Sequence, residues 1–271
     1  MQALQADLRA LAPMIEAAAR EAGALALEYF RPGERTSAGV WNKEGGSPVT
    51  AADLAVDRLL RQRLSDVIPD IGWLSEEAEI HPHEGSAEPA WIVDPIDGTR
   101  AFMAGEATWA VSIGLVEQGR PALACLYLPA LHRMYVAVSG AGATCDGVRL
   151  PADSRLPPLA AGPKPALDRF LQASPRFEAH PKIPSLASRI AMAADGQIAV
   201  AIASGGAREW DVAAADLIIR EAGGRLTDLA SLPVRYEASP RRLGVLIASR
   251  EPDHEALART LGAALAKSHQ P

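Results

Sequence analysis

The chain has 271 residues, 48% of them hydrophobic and 22% charged, with a formal net charge of −6. That is ample for the core of one large domain or two fused ones, and the acidic balance excludes a binder of nucleic-acid backbones, which needs basic excess to displace counterions. Two cysteines, Cys125 and Cys145, suit a reducing compartment, no apolar run reaches the ~20 residues of a membrane span, and Asp7, Glu16 and Glu21 interrupt any signal-like start. A cytoplasmic protein that avoids membranes and nucleic-acid polymers is expected.

Leu4, Leu8, Leu11, Ile15, Ala18, Ala22 and Leu25 recur at helical spacing, which predicts an amphipathic helix over about 4–29. A polar, glycine-rich loop carrying Trp41, Lys43 and Glu44 is expected from Gly33 to Ser47. Thr50-Ala51-Ala52-Asp53 has a capping-box pattern and opens a second helix that Pro69 stops, with Val56, Leu59, Leu60, Leu64 and Val67 facing the core. Ile71 to Leu74 predicts a short strand ending in Ser75-Glu76-Glu77, and His81-Pro82-His83 reads as a solvated turn.

Three strands are expected over Thr108–Val116, Pro121–Leu128 and Met134–Val138, the first two joined by a turn at Glu117-Gln118-Gly119-Arg120. Glycines 140, 142 and 147 mark the boundary between an N-terminal subdomain, 1–145, and a C-terminal one, 146–271. Pro151 to Pro184 carries little pattern. Beyond it come a helix over Ser185–Ala194, a strand over Ile198–Ala203, a helix from Trp210-Asp211 to Ala222 closed by Gly223-Gly224, a strand over Leu243–Ala248 and a last helix over Pro252–Lys267. Helices interleaved with hairpin-linked strands predict a layered α/β protein with largely antiparallel pairing.

The most informative stretch is Trp91-Ile92-Val93-Asp94-Pro95-Ile96-Asp97-Gly98-Thr99. Three bulky apolar residues suit a short buried strand, which Pro95 and Gly98 then break into a turn. Asp94 and Asp97 are held close enough to repel unless protons or cations intervene, and Mg²⁺ is the natural guest of such oxygen ligands. Thr99 opens a short helix whose amides favour phosphate. A plain turn would use the same residues; the alternating acids and closing Glu of an EF-hand are missing. Glu76, Glu77, Asp53 and Asp211 are further acids placed at a strand end and at helix starts, where each has an ordinary solvated or capping role as well.

Taken together, four blocks resemble the signatures of the magnesium-dependent, lithium-sensitive phosphatases typified by inositol monophosphatase, a superfamily that includes bisphosphate nucleotidases and some fructose bisphosphatases. They are Ser47-Pro48-Val49-Thr50-Ala51-Ala52-Asp53, Leu74-Ser75-Glu76-Glu77, the stretch from Trp91 to Thr99, and Trp210-Asp211-Val212-Ala213-Ala214. The resemblance implies an α-β-α-β-α layered sandwich, commonly homodimeric. It implies metal ligands at Glu76, Asp94, the carbonyl of Ile96, Asp97 and Asp211, with Asp94 bridging two Mg²⁺ ions and a third, weaker ion near the mobile loop of Lys43. It also implies a catalytic set of Thr99, Asp53 and Glu76, in which Thr99, bonded to Asp53, orients the attacking water. Phosphate would lie on the amides of Gly98 and Thr99, with Asp97 and Asp211 facing the substrate.

The expected reaction is hydrolysis of a small phosphorylated metabolite, inositol-1-monophosphatase-like, by two-metal activation of water. A 3'(2'),5'-bisphosphate nucleotidase and a metal-binding homologue without activity are the alternatives. Ser204 stands where inositol phosphatases usually place a substrate-contacting Glu. Arg208, three residues before Asp211, either reads a second phosphate or carboxylate or lies solvated, paired with Glu209 or another surface acid.

Overall fold

The computed structural model describes residues 7–43, 46–77, 89–151, 156–239 and 241–266. In chain order the elements are α1 (Leu8–Tyr29), β1 (Val40–Asn42), β2 (Pro48–Thr50), α2 (Ala51–Val67), β3 (Gly72–Ser75), β4 (Ala90–Asp97), α3 (Thr99–Ala104), β5 (Ala110–Glu117), β6 (Arg120–Leu128), β7 (Arg133–Val138), β8 (Gly142–Cys145) and β9 (Val148–Arg149). There follow β10 (Leu159–Ala161), α4 (Lys164–Ala173), β11 (Glu178–Ala179), α5 (Leu186–Ala194), β12 (Val200–Ala203), α6 (Ala213–Glu221), β13 (Arg225–Asp228), β14 (Leu246–Ser249) and α7 (His254–Ala266).

Two sheets organise the molecule. The first has seven strands in sequence order from β3 to β9, antiparallel except where β3 runs parallel to β4. The second has five, in the order β11-β10-β12-β14-β13. Alternating side chains bury opposite faces of each sheet. Trp91, Val93, Val111 and Ile113 pack against Ile15, Ala22, Val56 and Leu60 of α1 and α2. Ile92, Ala124 and Leu126 pack the other way, in one cluster with Ile190 of α5, Leu217 and Ile218 of α6, and Ala201 and Ala248 of the second sheet. The far face of that sheet, with Ile202 and Ile247, meets Leu167 and Phe170 of α4 and Leu257 and Leu261 of α7. Three apolar clusters thus stack helices, sheet, helices, sheet and helices, the α-β-α-β-α order expected. No helix among the described residues is long and apolar enough to cross a membrane.

Several local expectations need correction. The loop from Gly33 to Ser47 contains strand β1, which pairs with β2 in register Val40↔Thr50; the pairing is three residues long and its Trp41 is 53% exposed, so no burial pattern announced it. Strand β4 does not stop at Pro95. It runs on to Asp97 because a bulge between Asp94 and Asp97 absorbs the residue that lacks a donor. The weakly patterned segment contains β10, α4 and β11, and β13 precedes the last strand. Outside these corrections, Gly140 and Gly147 sit at positive φ in the turns before β8 and β9, and Gly142, also at positive φ, opens β8. His81 and His83 lie outside the described residues.

Candidate active site

The site is built at the end of β4. Parallel pairing of β3 sets Ser75 opposite Val93, and the Glu76 amide donates to the Val93 carbonyl at 3.3 Å, so Glu76 emerges beside Asp94. Asp94 faces Ser112 and Asp97 faces Ala110, three steps on β4 against two on β5. That extra residue resets the in-out alternation of the strand, and two acids of opposite parity reach the same pocket. Across the sheet, the Ser112 hydroxyl donates to the Trp210 carbonyl at 3.5 Å, and Gly114 lets the start of α6 approach, since a Cβ there would lie 3.3 Å from that of Ala213. This fixes Asp211 over the strand.

Ligand atoms of Asp94, Asp97 and Asp211 lie within 4.8 Å of one another. Asp94 is 1% and Asp97 6% exposed. Each has one oxygen held by the protein. The Ile96 amide donates to Asp94 Oδ1 at 3.0 Å. Asp97 Oδ2 accepts from the Ser185 hydroxyl and, at 2.7 Å, from the Ala187 amide at the start of α5. Asp211 Oδ2 accepts from the Arg208 amide at 2.6 Å.

Asp211 was expected to begin a helix. Instead Val212 is the first half-helical residue of α6, with no side-chain cap, so the carboxylate looks back and into the cluster rather than along the helix. Ser185 and Ala187 escaped sequence reasoning; the Ser before the apolar run Leu186–Ala194 predicts a helix cap but not that its hydroxyl reaches Asp97, 88 residues away.

Burial and mutual repulsion raise every carboxylate in the cluster. Asp94 is pushed well above the usual range, by burial first and then by the charges of Glu76, Asp97, Asp211 and Asp53. Burial takes Asp211 up to about 8, with Asp97 adding to it and the Arg208 amide and charge opposing. Asp97 rises to about 6 through burial, against the bonds from Ser185 and Ala187. Two buried acids and a half-buried third sharing a pocket, each with one oxygen pinned by a hydrogen bond, form a donor set that suits a hard divalent cation.

The remaining expected residues surround this cluster. Asp53 completes the capping box of α2: its Oδ2 accepts from the Thr50 amide at 2.8 Å, and the Thr50 hydroxyl accepts from the Asp53 amide. Burial lifts it to about 6. Its other oxygen lies 3.5 Å from the Thr99 hydroxyl, which also donates to the Ile96 carbonyl at 3.2 Å. Gly98 takes φ +91, and a Cβ there would sit 3.2 Å from that of Ser185, so glycine lets the turn into α3 dock against α5.

Lys43 Nζ reaches Glu76 Oε1 at 3.0 Å and Glu77 Oε1 at 2.6 Å. Burial drives Glu77 up to about 7 in spite of that ammonium. Arg208 does not pair with Glu209. Its guanidinium lies 5.8 Å from the centre of the Trp210 ring, while Glu209 is fully buried and bonds Arg241 at 3.0 Å.

Residues 7–266 match the inositol monophosphatase family. The chain is 40% identical to the histidinol-phosphatase of Chlorobaculum parvum over 129 residues, so that it spans about half of that relative's length, 48% of each chain. It is 33% identical to the 3'(2'),5'-bisphosphate nucleotidase CysQ of Salmonella typhimurium over 223 residues, 79% of this chain and 85% of that one. Among solved structures, the extragenic suppressor protein suhB of Bartonella henselae superposes with a TM-score of 0.79 at 28% identity, covering 93% of this chain and 98% of that one. With the fold, the acidic cluster and a match over almost its whole length in agreement, the chain belongs to the inositol monophosphatase family, a family of phosphoric monoester hydrolases.

Proposed function

We propose that this protein is a Mg²⁺-dependent phosphomonoesterase, inositol-1-monophosphatase-like in its chemistry, that hydrolyses a small phosphorylated metabolite. The observation that carries the reading is the convergence of Asp94 and Asp97, at the end of β4, with Asp211, just before α6, onto one pocket. Glu76, Asp94, the Ile96 carbonyl, Asp97 and Asp211 would hold two Mg²⁺ ions, and the loop of Lys43 would border a third. When bound, such ions neutralise a phosphate dianion and acidify water. The chain's own groups do the rest. Backbone amides of Gly98 and Thr99, at the opening of α3, receive phosphate oxygens. The Thr99 hydroxyl, between Asp53 and the Ile96 carbonyl, orients the attacking water and passes its proton towards Asp53. Taking 1–145 and 146–271 as subdomains, the first supplies most ligands and the second Asp211. Kinship with the family supports a cytoplasmic homodimer.

Phosphate release from inositol 1-phosphate, adenosine 3',5'-bisphosphate, fructose bisphosphate and histidinol phosphate, compared by kcat/KM with and without Mg²⁺, tests this reading. Hydrolysis that ignores Mg²⁺ would contradict it. Lithium should inhibit in the millimolar range by entering the position bounded by Asp97 and Asp211, and full activity at tens of millimolar Li⁺ would count against that geometry.

A pH dependence follows from the raised carboxylates. Folded pKa values above the unfolded ones mean that, without a cation, the native state binds the extra protons. The contribution of Asp53, Asp97 and Asp211 is therefore most favourable below their unfolded values and is lost as pH climbs through about 6 to about 8. Cation-free protein should melt at falling temperature from pH 5 to pH 8, and saturating Mg²⁺ should restore most of that loss because it replaces the protons. A melting temperature flat with pH in EDTA would speak against a shared acidic pocket.

A further inference from the structure

We infer that Arg242 is a specificity-determining residue that reads a second phosphate on the substrate; this rests on the phosphatase reading above. A cleft of about 390 Å³ opens beside Asp211, walled by Arg189, Ser204, Gly205, Gly206 and Arg242. That volume falls within the roughly 300–1,000 Å³ of small-ligand sites. Asp211, the only acid on its wall among the described residues, belongs to the cation cluster. The cleft is otherwise cationic. Arg189, 7% exposed, donates to the carbonyls of Ile183 and Ile202; it makes no salt bridge among the described residues, although the charge of Asp97 acts on it.

The position of Arg242 is built, not incidental. On one side of it, buried Glu209 accepts from the amides of Glu237 at 3.1 Å and Ser239 at 3.4 Å and from Arg241 Nε at 3.0 Å. On the other, Leu243 is tied to the cleft floor by two backbone bonds, Gly206 N–H to the Leu243 carbonyl at 2.8 Å and Leu243 N–H to the Ala207 carbonyl at 2.7 Å. Arg241 is consumed by Glu209 and Glu237. Arg242 lies exposed on the cleft wall with no ion pair among the described residues.

Glu209 and Asp211 are two residues apart, so one short segment fixes both ends of the substrate. Asp211 faces the phosphate to be cleaved, and Glu209 clamps the loop that presents the arginine. A guanidinium fork matches a phosphate's oxygens. By the same charge logic, an ester carrying an ammonium group would meet repulsion from Arg242 and Arg189. Of the esters named for the two relatives, the cleft fits a bisphosphate and disfavours an amino alcohol phosphate.

The test compares adenosine 3',5'-bisphosphate with adenosine 3'-monophosphate, which differ only in the distal phosphate. Arg242→Ala should lower the ratio of their kcat/KM values about ten- to a hundred-fold, through KM, and Arg242→Lys should recover part of it. For histidinol phosphate the same Ala variant should hold or raise kcat/KM. A ratio unchanged within about three-fold, or equal losses on both nucleotides, would overturn the assignment. Calorimetric binding of the two nucleotides with Ca²⁺ in place of Mg²⁺ gives the ratio without turnover. A wild type that hydrolyses none of the four esters of the panel above sinks the phosphatase reading, while the binding ratio still decides the role of Arg242.

Discussion

Asp94→Asn should lower kcat/KM roughly a thousand-fold or more while leaving the protein folded and, without cation, more heat-stable than the wild type. Asp94 is the most crowded acid of the cluster: four other carboxylates raise it, and its burial is almost complete. Losing even one electrostatic contact to a transferring group costs ~10²–10³ in rate, and the amide removes the charge on which both proposed Mg²⁺ ions depend. The same change relieves repulsion in the empty pocket. An asparagine oxygen can still accept from the Ile96 amide, as Asp94 Oδ1 does at 3.0 Å. Each kcal/mol so released should raise the melting temperature by about 2–4 °C in a protein of this size. Near-normal turnover at saturating Mg²⁺ would remove Asp94 from the cation site, and a lower melting temperature in EDTA would show that its charge is not under strain.

Thr99→Val should cost about 10²–10³ in kcat, with little change in KM. Valine keeps the shape at the start of α3, where Thr99 is partly buried, but takes away the hydroxyl between Asp53 and the Ile96 carbonyl. If that hydroxyl orients water and passes on its proton, the loss falls on the chemical step, in the range of general acid–base catalysis. The amide of residue 99 is unchanged, so phosphate binding should persist. A variant whose KM rises with kcat intact would make Thr99 a substrate anchor instead. Asp53→Asn should mimic the kcat loss in part, although it also weakens the capping box of α2, and its melting temperature separates the two effects.

Much of this site could be read before any coordinates because its parts are local. Asp94, Asp97 and Gly98 sit together at the bulged end of β4, and the Thr50–Asp53 capping box occurs as its spacing predicts. The helix Ala213–Glu221 ends in the expected way, with Gly223 at φ +84 and the Gly224 amide returning to the Ile219 carbonyl at 2.8 Å.

What stayed illegible is either short or tertiary. Strands β10 and β11 have three and two residues, and α4, although its Ala166, Leu167 and Phe170 share a buried face, has Pro163 at its N-cap and no side-chain cap to mark its start. The bulge after Asp94 leaves no mark in the sequence except Pro95, which reads as a break when it is in fact tolerated inside the strand. Ser185 looks like an ordinary helix cap, and only the fold brings its hydroxyl to Asp97. The arginine beside the pocket shows the same limit. Proximity to Asp211 in sequence drew attention to Arg208, whose guanidinium lies by the Trp210 ring and whose charge acts on Asp211, but nothing in the sequence marked Arg242, which lines the cleft.

Diffraction from crystals soaked in Mn²⁺, collected at the manganese edge, tests the central claim most directly. Anomalous peaks should appear between Asp94, Asp97 and Asp211 and between Asp94 and Glu76, within ordinary bonding distance of carboxylate oxygens, and should vanish from Asp94→Asn crystals. An enzyme active with Mn²⁺ whose anomalous density lies elsewhere, or nowhere, would contradict the assignment of these acids to the cations.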